Sequence, residues 1–320
     1  MVSLFEEAKI IAHRSGRPAD AVDFIQRKAA AGDAEANLIV AHWFLYGSDR
    51  PRDPAAAHRH LRVSADQGNT HAVRVLANLV SAGIGCQADE PAALAMLAGI
   101  RDRDGAAAAQ LELLPRLMSD ADALAAERER LSLDPSVELV RQLLLDEECA
   151  YIMRVAAPVL KPSFVYEPGL DRGKADPIRD SDGAALLPHD EDLVIQAINR
   201  RLAQATGTHV DQREALYVIR YVPGQQYRPH FDALPGLANQ RAHTAICYLN
   251  DDYEGGATSF PELRISIRGR AGDVLIFTNV DSAGRPDPRL RHAGERVTSG
   301  VKWIATRWIR QAPHDPYEIG

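Results

Sequence analysis

The spacing of apolar positions changes part-way along this chain of 320 residues. Up to about residue 130 the apolar residues are small, alanine-rich and helically spaced, and the pattern repeats. Gly32-Asp-Ala-Glu-Ala36 returns as Gly68-Asn-Thr-His-Ala72, Gly47 as Gly83, Asp53 as Asp89, Ala56-Ala57 as Ala92-Ala93, and Leu61 as Leu97, always 36 residues on. A constant period in the thirties predicts stacked helix pairs. The alanines let neighbouring helices approach closely, and the glycines mark where a helix ends and the chain turns. A partial copy precedes these around Ala21–Gly32, and a degraded one begins near Gly105. Helix is predicted to continue over 112–160, where Asp122–Leu131 is a good helix former and Ser136-Val-Glu-Leu-Val-Arg-Gln-Leu-Leu has amphipathic spacing. Because proline disfavours helix in the residue before it, the boundary is placed at Asp134-Pro135, giving domains 1–134 and 135–320.

Past Lys161 the period shortens towards two. The runs Ala215–Val222, Thr244–Leu249, Asp273–Thr278 and Val301–Ile309 read as strands, separated by Gly, Pro, Asn and Asp clusters. One helix, Asp190–Ala205, precedes them, and the charged, Gly- and Pro-bearing stretch 167–190 reads as a mobile loop. The expected fold is therefore a multidomain α and β chain: a helical repeat solenoid, then a double-stranded β-helix, or jelly roll, with flanking helices.

Bulk properties narrow the function. A hydrophobic content of 46% suits packed cores, and a net charge of −7 without a long basic run argues against a nucleic-acid partner. Cys86, Cys149 and Cys247 are scattered, without zinc spacing or a disulfide framework, which fits a reducing cytoplasm. The N-terminal residues carry acids and lack a signal peptide's apolar core. No stretch approaches the roughly 18 apolar residues of a membrane span.

Candidate chemistry centres on His230-Phe-Asp232, followed by His292 and Lys302. Residues two apart on a strand share a face, so His230 and Asp232 point the same way. A second histidine from a distant strand completes two imidazoles and one carboxylate, the facial set of non-haem Fe(II) oxygenases. Lys302 adds a fixed positive charge suited to a dicarboxylate co-substrate. By alternation, Lys302, Ile304, Thr306 and Trp308 share one face of their strand. Thr244, Ile246 and Tyr248 share another, as do Tyr217, Ile219 and Tyr221. The remaining histidines, including His189 and His243, are read as structural or solvent-exposed. His58 and His60 lie on a repeat helix without an acidic partner at ligand spacing.

Two resemblances sharpen this. The first half resembles Sel1-like repeats of the tetratricopeptide superfamily. The order Tyr221-x-x-Gly224-x-x-Tyr227-x-x-His230-x-Asp232, Arg241-x-x-Thr244, Tyr248-Leu-Asn, Glu254-Gly-Gly-x-Thr258, His292 and Lys302 resembles the prolyl 4-hydroxylase family. Leu145-Asp-Glu-Glu-Cys149 and Arg179-x-Ser181 extend the likeness to residues 137–311. The resemblance implies that His230, Asp232 and His292 ligate Fe(II). It implies that Lys302 pairs with the distal carboxylate of 2-oxoglutarate, with Tyr221, Tyr248 and Thr258 bonding the same co-substrate. Tyr227, Arg241, Trp308, Arg179 and Ser181 fall where the family contacts its peptide. O2 is then the second co-substrate, ascorbate a stimulant, and succinate and CO2 the by-products of hydroxylating a peptidyl residue, foremost proline. Asp232 favours hydroxylation, since related halogenases lack this carboxylate. The chain departs from the family in reading Arg-Asp-Ser at 179–181, where Arg-Thr-Ser is commoner. Three other readings stand beside this one: a free amino acid or natural-product peptide as substrate, a nucleic-acid demethylase, and a Sel1-like scaffold with a degenerate oxygenase domain. The demethylase is disfavoured by the acidic charge and by lysine at 302. The repeats are expected either to help recognise a protein substrate or to support the neighbouring domain.

Overall fold

The computed structural model describes residues 3–48, 50–117, 119, 124–165, 174–175, 179–234, 236–281 and 283–317. The chain divides into two compact units: Met1–Pro115 with Pro188–Gln196, and Arg116–Leu187 with Ala197–Gly320.

The first unit is built of helices α1 (Leu4–Ser15), α2 (Pro18–Ala30), α3 (Ala34–Tyr46), α4 (Pro54–Asp66), α5 (Thr70–Ala82), α6 (Glu90–Ile100) and α7 (Gly105–Leu113). Each packs on the next in sequence. The 36-residue period recurs atom by atom at the caps. Asp33 and Asn69 accept from the backbone N–H of Ala36 and Ala72, and Asp53 and Asp89 accept from those of Ala56 and Ala92. Gly47 and Gly83 end α3 and α5 at φ 73° and 70°, a left-handed conformation that costs glycine nothing. Leu61, Leu97, Ala57 and Ala93 are fully buried at equivalent places. No described helix is long and apolar enough to cross a membrane.

The second unit is a sandwich of two sheets. The larger contains β1 (Arg128–Ser132), β2 (Val137–Val140), β3 (Lys161–Pro162), β7 (Asp182–Leu186), β8 (Leu216–Tyr221), β10 (Arg241–Tyr248), β14 (Val274–Thr278) and β17 (Lys302–Arg310), in the order β1-β2-β14-β10-β17-β8-β7-β3. The smaller contains β6 (Arg179–Asp180), β9 (Gln226–His230), β12 (Thr258–Phe260), β13 (Ile265–Ile267) and β15 (His292–Gly294), in the order β13-β12-β15-β9-β6, and two short pairs stand beside them, β4 (Phe164–Val165) with β5 (Lys174–Ala175) and β11 (Glu254–Gly255) with β16 (Val297–Ser299). One apolar core joins the two sheets. Val137, Leu139, Ile219, Ile246, Leu275, Phe277 and Ile304 come from the larger, and Phe260 and Ile267 from the smaller. This is the expected jelly roll.

Two local expectations are corrected. Helix does not run unbroken through 112–160: α7 ends at Leu113, strands β1 and β2 occupy 128–132 and 137–140, and a further helix spans Asp146–Ala156. Val137 and Leu139 alternate inward and pair with Phe277 and Leu275 on β14, and that burial outweighs the helical propensity of their neighbours. Pro135 consequently sits in the turn of the β1–β2 hairpin, inside the second unit. The loop expected over 167–190 falls partly on residues outside those described. Within the described part, β7 runs antiparallel to β8, and Gly183 makes this close pairing possible because a Cβ there would meet the Tyr217 hydroxyl. The helix expected at 190–205 occupies Leu193–Thr206, with Asp192 Oδ1 accepting from the N–H groups of Val194 and Ile195 at 3.1 Å.

Candidate active site

β9 and β15 lie side by side in the smaller sheet with His230 directly opposite His292. Just past the end of β9, Asp232 points into the same cavity. His230 Nε2 stands 3.6 Å from Asp232 Oδ1, and His292 Nε2 stands 3.7 Å from Oδ2. One ligand atom from each of the three lies within 4.8 Å of the others, and all three side chains are buried.

Hydrogen bonding decides the tautomers. His230 Nδ1 is 2.9 Å from the Arg228 carbonyl and His292 Nδ1 is 3.0 Å from the Leu290 carbonyl. A carbonyl oxygen only accepts, so each Nδ1 carries the proton and each Nε2 keeps its lone pair for the cavity. Burial holds His292 down at about 4, neutral as a ligand must be. Burial alone would push the Asp232 carboxyl up, but His292, His230 and the Arg241 guanidinium outweigh it and hold the group ionised. Two imidazoles with Nε2 turned towards one carboxylate fit a divalent transition metal, and the carbonyl bonded to each Nδ1 orients its ring as such a site needs.

The larger sheet supplies the charge. Lys302 begins β17, opposite Tyr221 on β8, and is 2% exposed. Its Nζ donates to the Gly256 carbonyl at 2.6 Å, with Tyr221, Tyr248 and Tyr253 rings at 5.7–5.9 Å. Burial lowers it to about 8, against an opposing pull from Glu295. Among the described residues no carboxylate comes within ion-pair distance, so this cation lines the cavity ready for an anion. One cavity is lined by Lys302, Ile219, Tyr221, Ile246, Thr258, Ile304 and Thr306 together with His230, Asp232 and His292, all of them buried, and by the half-buried Tyr227 and Trp308.

Residues 216–310 match the model of the 2OG-Fe(II) oxygenase superfamily. Over 202 residues the chain is 34% identical to Prolyl 4-hydroxylase 1 of Arabidopsis thaliana, spanning 57% of this chain and 71% of the relative. The chain belongs to the prolyl 4-hydroxylase family. It is a 2-oxoglutarate-dependent dioxygenase. Among solved structures, the 2-oxoglutarate complex of viral collagen prolyl hydroxylase from Paramecium Bursaria Chlorella virus-1 is 28% identical over 55% of this chain and 96% of that one, with a TM-score of 0.46. A Sel1 repeat protein from Oxalobacter formigenes is 18% identical over 34% of this chain and 85% of its own, with a TM-score of 0.32.

Within this prolyl 4-hydroxylase relative, the expected residues occupy different kinds of place. Tyr221, Thr258 and Lys302 line the cavity from buried positions, and Tyr227 and Trp308 line it from half-buried ones. Tyr248 stands behind the wall and donates its hydroxyl to Thr258 Oγ1 at 3.0 Å, so it holds the lining and is not part of it. Tyr227 lies flat on His230, with ring centroids 3.4 Å apart and planes 14° apart. Arg179 covers the faces of Tyr217 and Tyr227 at 5.1 and 5.4 Å. Ser181 is buried with its Oγ 2.8 Å from Ser163 Oγ. Arg241 forks onto Glu214 at 2.6 and 2.7 Å and lays its face on Trp308 at 4.1 Å.

Glu214 and Asn279 carried no signal in the sequence as parts of the site. Thr244 stood in the family-like Arg241-x-x-Thr244 and as a face-mate of Ile246 and Tyr248 but without a role, and Asn279 lies just past its strand, where no spacing argument reaches. His189 is buried in the first unit, with Nε2 2.7 Å from the Tyr46 hydroxyl, and His243 is half-buried on β10. Neither lines the cavity.

Proposed function

We propose that this oxygenase hydroxylates a prolyl residue within a peptide or protein, converting 2-oxoglutarate and O2 to succinate and CO2. The observation that carries the reading is one cavity lined by the His230–Asp232–His292 triad, the buried Lys302 ammonium and the half-buried rings of Tyr227 and Trp308. Bound at the triad, Fe(II) supplies the redox chemistry that activates O2 and couples oxidation of the co-substrate to that of a C–H bond.

The chain's own residues do the rest. Lys302 would draw in and orient the distal carboxylate of 2-oxoglutarate, with the Thr258 hydroxyl beside it. Ile219, Ile246 and Ile304 give the cavity apolar surface and limit water around the reacting groups. Trp308 and Tyr227, both half-buried, line the same cavity and give it the aromatic surface a pyrrolidine ring packs against. A free amino acid would also need a carboxylate for its ammonium, and Glu214, behind Trp308, is already held by Arg241 and Arg310. Kinship with Prolyl 4-hydroxylase 1 and the aromatic side chains of the cavity together favour a prolyl residue in a peptide. On this reading the helical unit serves to recognise the protein that carries the target segment.

The test is succinate release by purified protein supplied with Fe(II), ascorbate and 2-oxoglutarate, with and without proline-containing peptides. Peptide-stimulated turnover with a one-oxygen mass gain on proline, absent from Asp232→Ala, is the expected result. Turnover that no peptide stimulates, but a free amino acid does, overturns the peptidyl assignment.

A further inference from the structure

Asp232 is held by more than its place at the end of β9. Its Oδ2 accepts a hydrogen bond from the Thr244 hydroxyl at 2.7 Å, and Thr244 Oγ1 in turn accepts from Asn279 Nδ2 at 2.8 Å. A hydroxyl has one proton, so a donor behind Thr244 directs that proton forward onto the carboxylate. Thr244 is fully buried, Asn279 is 3% exposed and Asp232 is 5% exposed, so water does not compete for these bonds.

The backbone is arranged to bring this about. Arg241 and Thr244 are three residues apart, a spacing that sends side chains to opposite faces of a regular strand. Here β10 pairs with β17 through Arg241↔Arg310 and His243↔Ile309, two residues on β10 against one on β17. This β-bulge inserts Ala242 and returns Arg241 to the face of Thr244. Both then reach the same residue: Thr244 bonds the Asp232 carboxylate, and Arg241 Nη1 lies 3.4 Å from the Asp232 main-chain carbonyl. Asn279 also braces the bulge, because its own N–H donates to the Ala242 carbonyl at 2.8 Å.

We propose that Thr244 and Asn279 are positioning residues that fix the rotation of the Asp232 carboxylate for metal, and that the Ala242 bulge exists to aim them. The proposal rests on the reading of His230, Asp232 and His292 as a metal site. Outer-shell partners of a ligand are worth about ten- to a hundredfold in metal affinity.

Co(II) is the probe, since it occupies the same ligand types as Fe(II) and reports binding by its visible absorption, without turnover. Thr244→Val keeps the shape and removes the hydroxyl, and is expected to weaken Co(II) by about ten- to a hundredfold. Thr244→Ser keeps the hydroxyl and is expected to bind as the parent does. Asn279→Ala is expected to weaken binding alone, but to add nothing in a Thr244→Val background, because the relay runs through the hydroxyl. Melting temperatures of all variants separate lost affinity from lost folding. Equal losses for Thr244→Val and Thr244→Ser, or losses that multiply in the double variant, overturn the proposal. If the parent binds no Co(II), or Asp232→Ala binds it equally, the metal-site reading falls and the proposal with it. Unchanged binding by a folded Thr244→Val, with Asp232→Ala inactive in binding, overturns the proposal alone.

Discussion

His230 and His292 face each other across the β9–β15 pair, each with Nδ1 tied to a main-chain carbonyl and Nε2 turned to Asp232. Neither ring can swap its nitrogens without breaking a buried hydrogen bond, so the site is preorganised for metal. Chelation with EDTA is therefore expected to abolish succinate release, and added Fe(II) to restore it. His292→Ala is expected to stay inactive at any Fe(II) concentration, since burying the remaining ligands leaves nothing to replace the imidazole. Activity of His292→Ala recovered by iron alone would sink the triad assignment.

Lys302 gives a pH dependence of definite sign. Burial lowers its ammonium to about 8 from the usual 10.5. Below that value Lys302 is charged and pairs with a carboxylate; above it the neutral amine dominates and the attraction is lost. The KM for 2-oxoglutarate is expected to stay level to about pH 7.5, then rise towards tenfold per pH unit, with kcat at saturating co-substrate far less affected. Lys302→Met should raise KM by about tenfold to a hundredfold even at pH 7, the scale of a lost charged hydrogen bond, and should flatten the pH profile. Initial rates across 2-oxoglutarate concentrations from pH 6.5 to 9 decide this. A profile unchanged by the substitution would remove Lys302 from co-substrate binding.

The triad and Lys302 were legible because strand alternation has a period of two: all four β17 positions read as one face line the cavity, with Ile219 and Tyr221 of β8 and Ile246 of β10. The repeats were legible because their caps and buried leucines recur every 36 residues. What failed did so for local reasons. Val137-Glu-Leu-Val is compatible with either helix or strand, and only pairing with β14 decides for the strand. The bulge at Ala242 defeats alternation by one residue, so Arg241 and Thr244 were never placed together. Arg241 looked free to meet substrate because its partner Glu214 lies 27 residues away in sequence.

Gly269 tests the wall behind Thr258. A Cβ at this position would lie 2.2 Å from Tyr248 Cδ2, and Tyr248 is fully buried with no room to retreat. Gly269→Ala is expected to cost about 1–3 kcal/mol, the usual penalty of overpacking, and to lower the melting temperature by several degrees. Displacing Tyr248 also withdraws its hydroxyl from Thr258, so KM for 2-oxoglutarate should rise in the same variant. Tyr248→Phe, which removes the hydroxyl without crowding, should reproduce the KM effect with a much smaller loss of stability. A melt and an initial-rate series on both variants separate packing from hydrogen bonding.

Acid should weaken the first unit. His42, His71 and His189 gather there, with His42 ring centroids 6.1 Å from His71 and 5.9 Å from His189. Around them stand the Tyr46 hydroxyl on His189, Arg74 beside His71, and the Asp104 and Asp190 carboxylates. Burial holds His42 down at about 4 and His189 at about 3, each lowered further by its neighbouring imidazoles. The unfolded chain takes up these protons near 6.5, so between that value and about 4 it binds more protons than the folded unit does. Stability contributed by the neutral rings is thus fully present above pH 6.5 and is lost progressively as pH falls. A group as buried as His189 changes stability by at most about 1.4 kcal/mol per pH unit. Thermal melts followed by far-UV circular dichroism from pH 8 to 5 should show the helical transition falling below pH 6.5. His42→Leu, which keeps an apolar side chain and removes one proton site, should make that fall shallower. A slope unchanged by the substitution would show that His42 does not take part.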